Sequence, residues 1–315
     1  MMNTYISVDV GGTQIRVAVY PEAGIQPLRI KKVKTVGKGT PLERLIATIH
    51  EMWTETGSED QVKAIGICVP GPVDYANGII TFCANLEGWE NLPMRDILQQ
   101  EFGVPVFIGN DANVAAIGEW KFGAGRGHKD VVYLTISTGI GGGVIVDERP
   151  MLGHQGLATE LGHVHLEADS HYPCGCGQFG HLESFSSGTG IAYYANEQLE
   201  LGRESSLQGK GKVTAKDVAE AAKAGDPLAV ETFARASKYL AMGVVNYLHI
   251  FNPSAIIFGG GVASTGDLLL GPVKKMMPKL VYSQTYLEGL HFAQAELGDD
   301  VGLLGGLALI RMEME

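Results

Sequence analysis

Between Glu160 and Glu183 the chain reads E-L-G-H-V-H, then a polar run, then C-G-C-G-Q-F-G-H-L-E. One glycine separates Cys174 from Cys176, His181 follows five residues after Cys176, and His163 lies eleven before Cys174. Thiolate and imidazole are the donors zinc prefers, and four of them close a tetrahedral structural site. The glycines allow turns sharp enough for side chains so close in sequence to converge. The bland alternative is two free thiols and surface histidines in a glycine-rich loop. Paired cysteines flanked by histidines in an intracellular chain read first as metal binding. His154, His165 and His171 compete for the ligand positions. Glu160 and Glu183 bracket the cluster, so folding around a metal brings two carboxylates together, a pair suited to a polar ligand.

Other chemistry-bearing residues sit on turns that strands must present. Tyr5–Val10 reads as a strand, Gly11-Gly12-Thr13 as a tight turn and Ile15–Tyr20 as the returning strand. Such a hairpin, with D-x-G-G-T at its tip, offers backbone N–H groups, a hydroxyl and the Asp9 carboxylate, a set that suits a phosphate chain and its Mg²⁺. Alone, the motif reads first as an ordinary Gly-Gly hairpin. Val131–Ile136, the turn S-T-G-I-G-G-G and Val144–Val146 repeat the pattern, and A-I-G-I-C-V-P-G at 64–71 has a counterpart in A-I-I-F-G-G-G at 255–261. Two similar halves suggest a duplicated α/β unit with a cleft between the copies. Asn110 and Asp111 follow the strand Val104–Ile108 and precede a helix from Val114 to about Phe122. Ligands of open α/β sheets bind at such strand ends, yet Asp111 could equally cap that helix. Helices are expected over 41–56, 94–102, 187–199, 214–224, 226–249 and 302–310, with a polar, mobile loop at 200–212.

The whole chain sets limits on partners. Its 315 residues, 45% hydrophobic, suffice for a large core and two domains. A net charge of −11 argues against nucleic acid or an anionic membrane as the main partner. Glycine, at 43 residues, exceeds the usual ~7% share, and it falls in strand–turn clusters. Cys68 and Cys83 read as reduced core residues. Without a signal-like segment or an apolar run of the ~20 residues a spanning helix needs, the expected compartment is the cytoplasm.

Together, D-x-G-G-T at 9–13, G-N-D-A-N at 109–113, S-T-G-I-G-G-G at 137–143, E-L-G-H at 160–163, the cysteine run and F-G-G-G-V at 258–262 resemble the ROK family of sugar kinases, most of all its bacterial glucokinases. The resemblance implies an α/β, actin-like (ribonuclease-H-like) duplicated fold. One lobe would span 1–115 plus about 300–315, the other 116–299 with the metal loop, and the two would close on substrate. It also implies transfer of the ATP γ-phosphoryl group to a hexose, glucose first among candidates, in a homo-oligomeric (dimeric or tetrameric) enzyme. Asp9 would influence Mg²⁺; Gly11, Gly12 and Thr13 would hold the β- and γ-phosphates; Thr138 and Gly139 would cradle them from the second lobe. Gly260 and Gly261 would line the adenosine pocket. Asp111 would be the general base, and Asn110, Glu160, His163, Glu183 and, more weakly, Asn85 would bond the sugar hydroxyls. His163, Cys174, Cys176 and His181 would hold a structural Zn²⁺ bracing the sugar site.

One departure stands out: the family commonly has a third cysteine where this chain has His181. A Cys₂His₂ set still suits zinc, with His165 and His171 as possible substitutes. The family also contains sugar-responsive repressors with an N-terminal helix-turn-helix, for which a first strand at Tyr5 leaves no room. A non-catalytic actin-like assembly protein would have no use for the Asp111, Glu160, His163 and Glu183 set. Polyphosphate remains an alternative donor, and N-acetylmannosamine, fructose, mannose and allose alternative acceptors.

Overall fold

Residues 3–54, 62–83 and 86–315 are described by the structure, a computed structural model. Alternating and fully apolar runs near the N-terminus form strands β1 (Thr4–Val10), β2 (Gln14–Pro21) and β3 (Arg29–Lys34). Helix α1 (Pro41–Thr54) follows, and its Leu45, Thr48, Ile49, Met52 and Trp53 are buried at helical spacing. Thr40 and Glu43 close a reciprocal capping box at its start, with bonds of 3.2 and 2.8 Å. The last two residues of the expected helix, up to Thr56, lie outside the described residues, as does Asn85. Strand β4 (Val62–Val69), helix α2 (Met94–Phe102), strand β5 (Val106–Asn110) and helix α3 (Asp111–Phe122) complete this part of the chain.

The first sheet has the order β3-β2-β1-β4-β5. β1 pairs antiparallel with β2 and parallel with β4, and β4 pairs parallel with β5. One face of this sheet packs on α1 and α2 through Ile6, Val8, Val17, Leu45, Ile49 and Trp89. The other face receives the C-terminal helix Val301–Met314, whose Leu303, Leu307 and Ile310 meet Tyr5, Ala18, Tyr20 and Ala64. That helix lies close to the sheet because Gly66 faces Gly306; a β-carbon on Gly66 would stand 2.3 Å from the Gly306 carbonyl oxygen. The compact unit so formed comprises Met1–Gly127, Arg149–Thr159 and Glu296–Glu315. A boundary at 115 would cut α3, which is one continuous helix.

The second unit comprises His128–Glu148 and Glu160–Ala295. Strands β6 (Val131–Ile136) and β7 (Ile140–Val146) form an antiparallel hairpin, and β6 pairs parallel with β8 (Ala255–Gly259), which pairs parallel with β9 (His291–Gln294). A hairpin followed by two parallel strands is the connectivity of the first sheet again, so β4 and β8 are the counterparts that the sequence repeat suggested. The helices of this unit are the short α4 (Leu182–Ser186), α5 (Gly188–Glu200), α6 (Ala215–Lys223), α7 (Pro227–Phe251) and α8 (Leu270–Leu280), with α6 packed on α5 and α7. Thr214 and Asp226 cap α6 and α7 as their types predict.

The segment between α5 and α6, expected to be mobile, is tied down. Leu207 and Val213 are buried. The Asp226 carboxylate accepts from Ser206 N–H at 2.6 Å and from the Ser205 hydroxyl at 3.0 Å. Asn196 pairs with both backbone groups of Val213, at 3.0 and 2.8 Å. Among the described residues, no helix is long and apolar enough to cross a membrane.

Candidate active site

In the first unit, the β1–β2 register runs to Val10↔Ile15 and leaves Gly11, Gly12 and Thr13 as the tip. Gly11 N–H donates to the Gln14 carbonyl at 2.8 Å, while Thr35 donates its hydroxyl to Gly11 O at 2.6 Å and its N–H to Thr13 O at 2.9 Å. These bonds fix the tip, and Gly12 and Thr13 face solvent. Asp9 is met by Arg16, whose Nε and Nη2 both donate to Oδ2, at 3.0 and 2.6 Å. Any cation approaching Asp9 therefore meets a carboxylate already paired with a guanidinium, a partner that the D-x-G-G-T motif did not reveal.

At the end of β5 the roles of two adjacent residues separate. Asn110 is the N-cap of α3: its Oδ1 accepts from Ala112 and Asn113 N–H at 3.0 and 3.4 Å, and its Nδ2 donates to Gly71 O at 2.9 Å. Asp111 is the first helical residue, with an exposed side chain whose Oδ1 accepts from Ala112 N–H at 2.8 Å. The N-terminus of α3 turns its partial positive charge toward this carboxylate. Asn110 N–H donates to the Tyr75 hydroxyl at 3.1 Å, and burial pushes the Tyr75 phenol well above its ordinary range, so it stays neutral. Asn113, one turn into α3, accepts at 3.1 Å from the hydroxyl of Thr159, a residue held at φ +68°.

In the second unit, the β6–β7 tip exposes Ser137 and Thr138. The start of α5 is fastened to it: Gly188 N–H donates to Ser137 O at 2.7 Å, and Thr189 donates N–H and hydroxyl to Thr138 O at 3.1 and 2.9 Å. Gly260 sits at φ +89°, and a β-carbon there would lie 2.4 Å from Ile136 O; one on Gly261 would meet no atom within 4 Å. Gly261 opens on a cavity of about 1400 Å³ that Thr138, Thr189, Tyr193, Lys212 and Thr265 also line. The cavity is large enough for a nucleoside triphosphate and has glycine, hydroxyl and cationic groups on its walls.

The metal cluster converges as the spacing requires. The ligand atoms of His163, Cys174, Cys176 and His181 all lie within 4.8 Å of one another. Cys174 Sγ is 3.3 Å from His163 Nδ1, and Cys176 Sγ is 3.5 Å from His181 Nδ1. Zn–S and Zn–N bonds of about 2.3 and 2.0 Å give tetrahedral edges of this size, so the donors fit zinc. His165 is not among the four: its Nε2 meets His181 Nε2 at 3.1 Å, on the far side of that ring. His171 is turned to Glu197 at 2.9 Å, and His154 is exposed. Burial pushes the Cys174 thiol up, with the Glu183 carboxylate adding to the shift, and it pulls His181 down, with His165 and His163 adding. A divalent cation would favour the thiolate and the neutral ring, reversing the first effect and following the second.

Around the cluster, His163 turns Nε2 toward Glu160 Oε2 at 3.8 Å, leaving Glu160 exposed. Glu183 differs: Oε2 accepts from Ile140 N–H at 2.9 Å, and Oε1 accepts from Gly175 N–H and the Cys174 thiol, each at 3.0 Å. Sequence reasoning also missed Tyr172, which anchors the metal loop. Its hydroxyl donates to Glu197 at 2.8 Å, and its ring lies 4.0 Å below the Arg235 guanidinium.

The model of the ROK family matches residues 5–313. A glucokinase of Thermotoga maritima is 36% identical over 97% of this chain and 96% of its own. The crystal structure of a ROK family glucokinase from Streptomyces griseus, in complex with glucose and AMPPNP, superposes with a TM-score of 0.76 at 34% identity, covering 98% of this chain and all of that one. A ROK family transcriptional regulator, a homolog of the E. coli MLC protein, superposes at 0.87 with 25% identity, over 99% of this chain and 78% of its own.

Proposed function

We propose, given that this chain belongs to the ROK family, that it is an ATP-dependent hexose kinase converting glucose to glucose 6-phosphate. The observation that carries the reading is the division of labour between Asn110 and Asp111. Capping of α3 falls to Asn110, and the exposed Asp111 carboxylate stands at a helix start, suited to accept a proton.

Asp111 takes the proton of the attacking sugar hydroxyl as the new oxygen–phosphorus bond forms and the bond to the β-phosphate oxygen breaks, releasing ADP. Such a base contributes ~10²–10⁴-fold, and positioning with charge neutralisation supplies most of the remainder. The hairpin tips at Gly11, Gly12 and Thr13 and at Thr138 and Gly139 each offer backbone N–H groups and hydroxyls suited to phosphate. Gly261 and its cavity receive the adenosine. Asp9 would influence a Mg²⁺ ion that, when bound with ATP, would neutralise the phosphate oxygens.

Glu160 and the Nε2 of His163 bond sugar hydroxyls, and His163, Cys174, Cys176 and His181 would hold a Zn²⁺ that would keep that imidazole in place. A site that leaves buried polar groups unpaired rejects a sugar lacking one hydroxyl by as much as ~10⁴–10⁵. Asn110 has its Oδ1 engaged in the cap and one Nδ2 hydrogen on Gly71 O, so the second Nδ2 hydrogen is the one it offers a sugar hydroxyl.

A second reading follows from the likeness to the transcriptional regulator: a sugar-sensing protein without turnover. A coupled ADP-release assay over a panel of glucose, mannose, fructose, allose and N-acetylmannosamine, with ATP and polyphosphate as donors, tests both. Sugar-dependent ADP release is the expected result; sugar binding with no turnover of either donor would establish the regulator.

A further inference from the structure

The metal loop and the phosphate hairpin of the second unit are joined by one carboxylate. Glu183 bonds Ile140 N–H, the first residue of β7 after the Thr138-Gly139 tip, and Gly175 N–H, between the two metal-ligating cysteines. The hairpin backbone closes directly on this carboxylate: a β-carbon on Gly139 would stand 2.4 Å from Oε2. A covalent route runs beside the hydrogen bonds. His181 stands just before α4, α4 leads through Ser187 into α5, and Gly188 and Thr189 at the start of α5 bond the hairpin carbonyls of Ser137 and Thr138.

We infer that Glu183 is a positioning residue for the donor phosphates, coupling the metal loop to the nucleotide as well as to the sugar. The inference rests on the kinase reading above. A carboxylate with both oxygens engaged by backbone N–H groups of two loops fixes the distance between those loops. Hydrogen bonds to a charged acceptor are among the stronger ones in a protein. When Cys174 ligates a metal it gives up its thiol proton, so the link that persists on that side is the one from Gly175 N–H. Coupling of this kind is reciprocal: whatever ordering of the hairpin favours nucleotide must equally favour the metal.

The test measures binding of the non-hydrolysable analogue AMPPNP with Mg²⁺ to zinc-loaded protein in the absence of sugar, in wild type, Glu183→Gln and Gly139→Ala. The first variant removes one of the two acceptor oxygens, and the second pushes the carboxylate away from the hairpin side without touching the metal loop. Metal analysis and melting temperature accompany each measurement. We expect both variants to stay folded and to bind the analogue about tenfold more weakly, the loss of one charged hydrogen bond. In wild type, the analogue should slow extraction of zinc by a chelator, and in both variants this protection should vanish. If either folded variant binds the analogue as wild type does, or if the analogue leaves zinc extraction from wild type unchanged, the coupling is refuted. A wild type that does not bind the analogue at all would instead overturn the kinase reading.

Discussion

His165 and His181 meet edge to face, Nε2 to Nε2 at 3.1 Å, with their ring centroids 4.4 Å apart. For His181 to offer the Nδ1 lone pair to a metal, its Nε2 must carry the proton, and His165 is placed to accept it. An outer acceptor of this kind fixes the tautomer and the ring orientation of a metal-binding histidine. His165→Ala should therefore lower zinc affinity by about 10–100-fold while leaving the stoichiometry at about one per chain under excess metal. His171→Ala, which removes contacts with Glu197 and the Tyr172 ring and not the one with His181, should leave affinity unchanged. Competition with a chromogenic chelator measures both; equal affinities for wild type and His165→Ala would exclude the role.

Asp111→Asn keeps the size of the side chain and removes the base. The expected result is a fall in kcat of about 10²–10⁴-fold with sugar affinity retained, measured by steady-state kinetics beside calorimetric titration of the sugar. A kcat within a few-fold of wild type would exclude Asp111 as the base. Because Asn110 provides the N-cap, the melting temperature should change little, whereas loss of a capping residue would cost about 1 kcal/mol.

Much of this architecture was legible in the chain. Both hairpins announced themselves by apolar strands around glycine turns, and the pairing of 64–71 with 255–261 anticipated the shared connectivity of the two sheets. The convergence of His163, Cys174, Cys176 and His181 was legible because cysteine and histidine spacing is itself the signal. What stayed hidden depends on distance or on ambiguous residue types. Asn110 and Asp111 are both good caps, so sequence could not say which of them caps. Glu183 contacts Ile140 43 residues away, and no local pattern encodes that bond. Helix α8 carries a glycine and two prolines within eleven residues, composition that reads as a break. The segment at 200–212 is polar enough to suggest mobility, but its anchors, Asn196 and Asp226, lie in other elements.

Adjacent glycines at the cavity should respond oppositely to alanine. At Gly260 the new β-carbon meets Ile136 O at 2.4 Å and Ile136 N at 2.8 Å, in a backbone conformation at φ +89°. Strain and overpacking together should cost about 2–4 kcal/mol. At Gly261 the methyl meets only the open cavity, so stability should hold while the KM for ATP rises and that for sugar does not. Denaturant unfolding and two-substrate kinetics separate the two cases; a Gly261→Ala enzyme with unchanged ATP KM would move the nucleotide elsewhere.

Asp226 links stability to pH. Burial pushes its carboxyl up, but bonds from Ala229 N–H, Ser206 N–H and the Ser205 hydroxyl more than offset this, and the group titrates at about 2 instead of its ordinary 3.8. A folded-state value below the unfolded one means that the contribution is complete above about pH 4 and disappears as pH falls toward 2. Its size is about 2–3 kcal/mol. The variant Asp226→Asn lacks this titration. The stability difference between wild type and variant, measured by urea unfolding at half-unit steps from pH 5 to 2, should therefore shrink by that amount across the window. A difference that stays constant with pH would show that Asp226 holds the 205–206 segment and caps α7 without its charge.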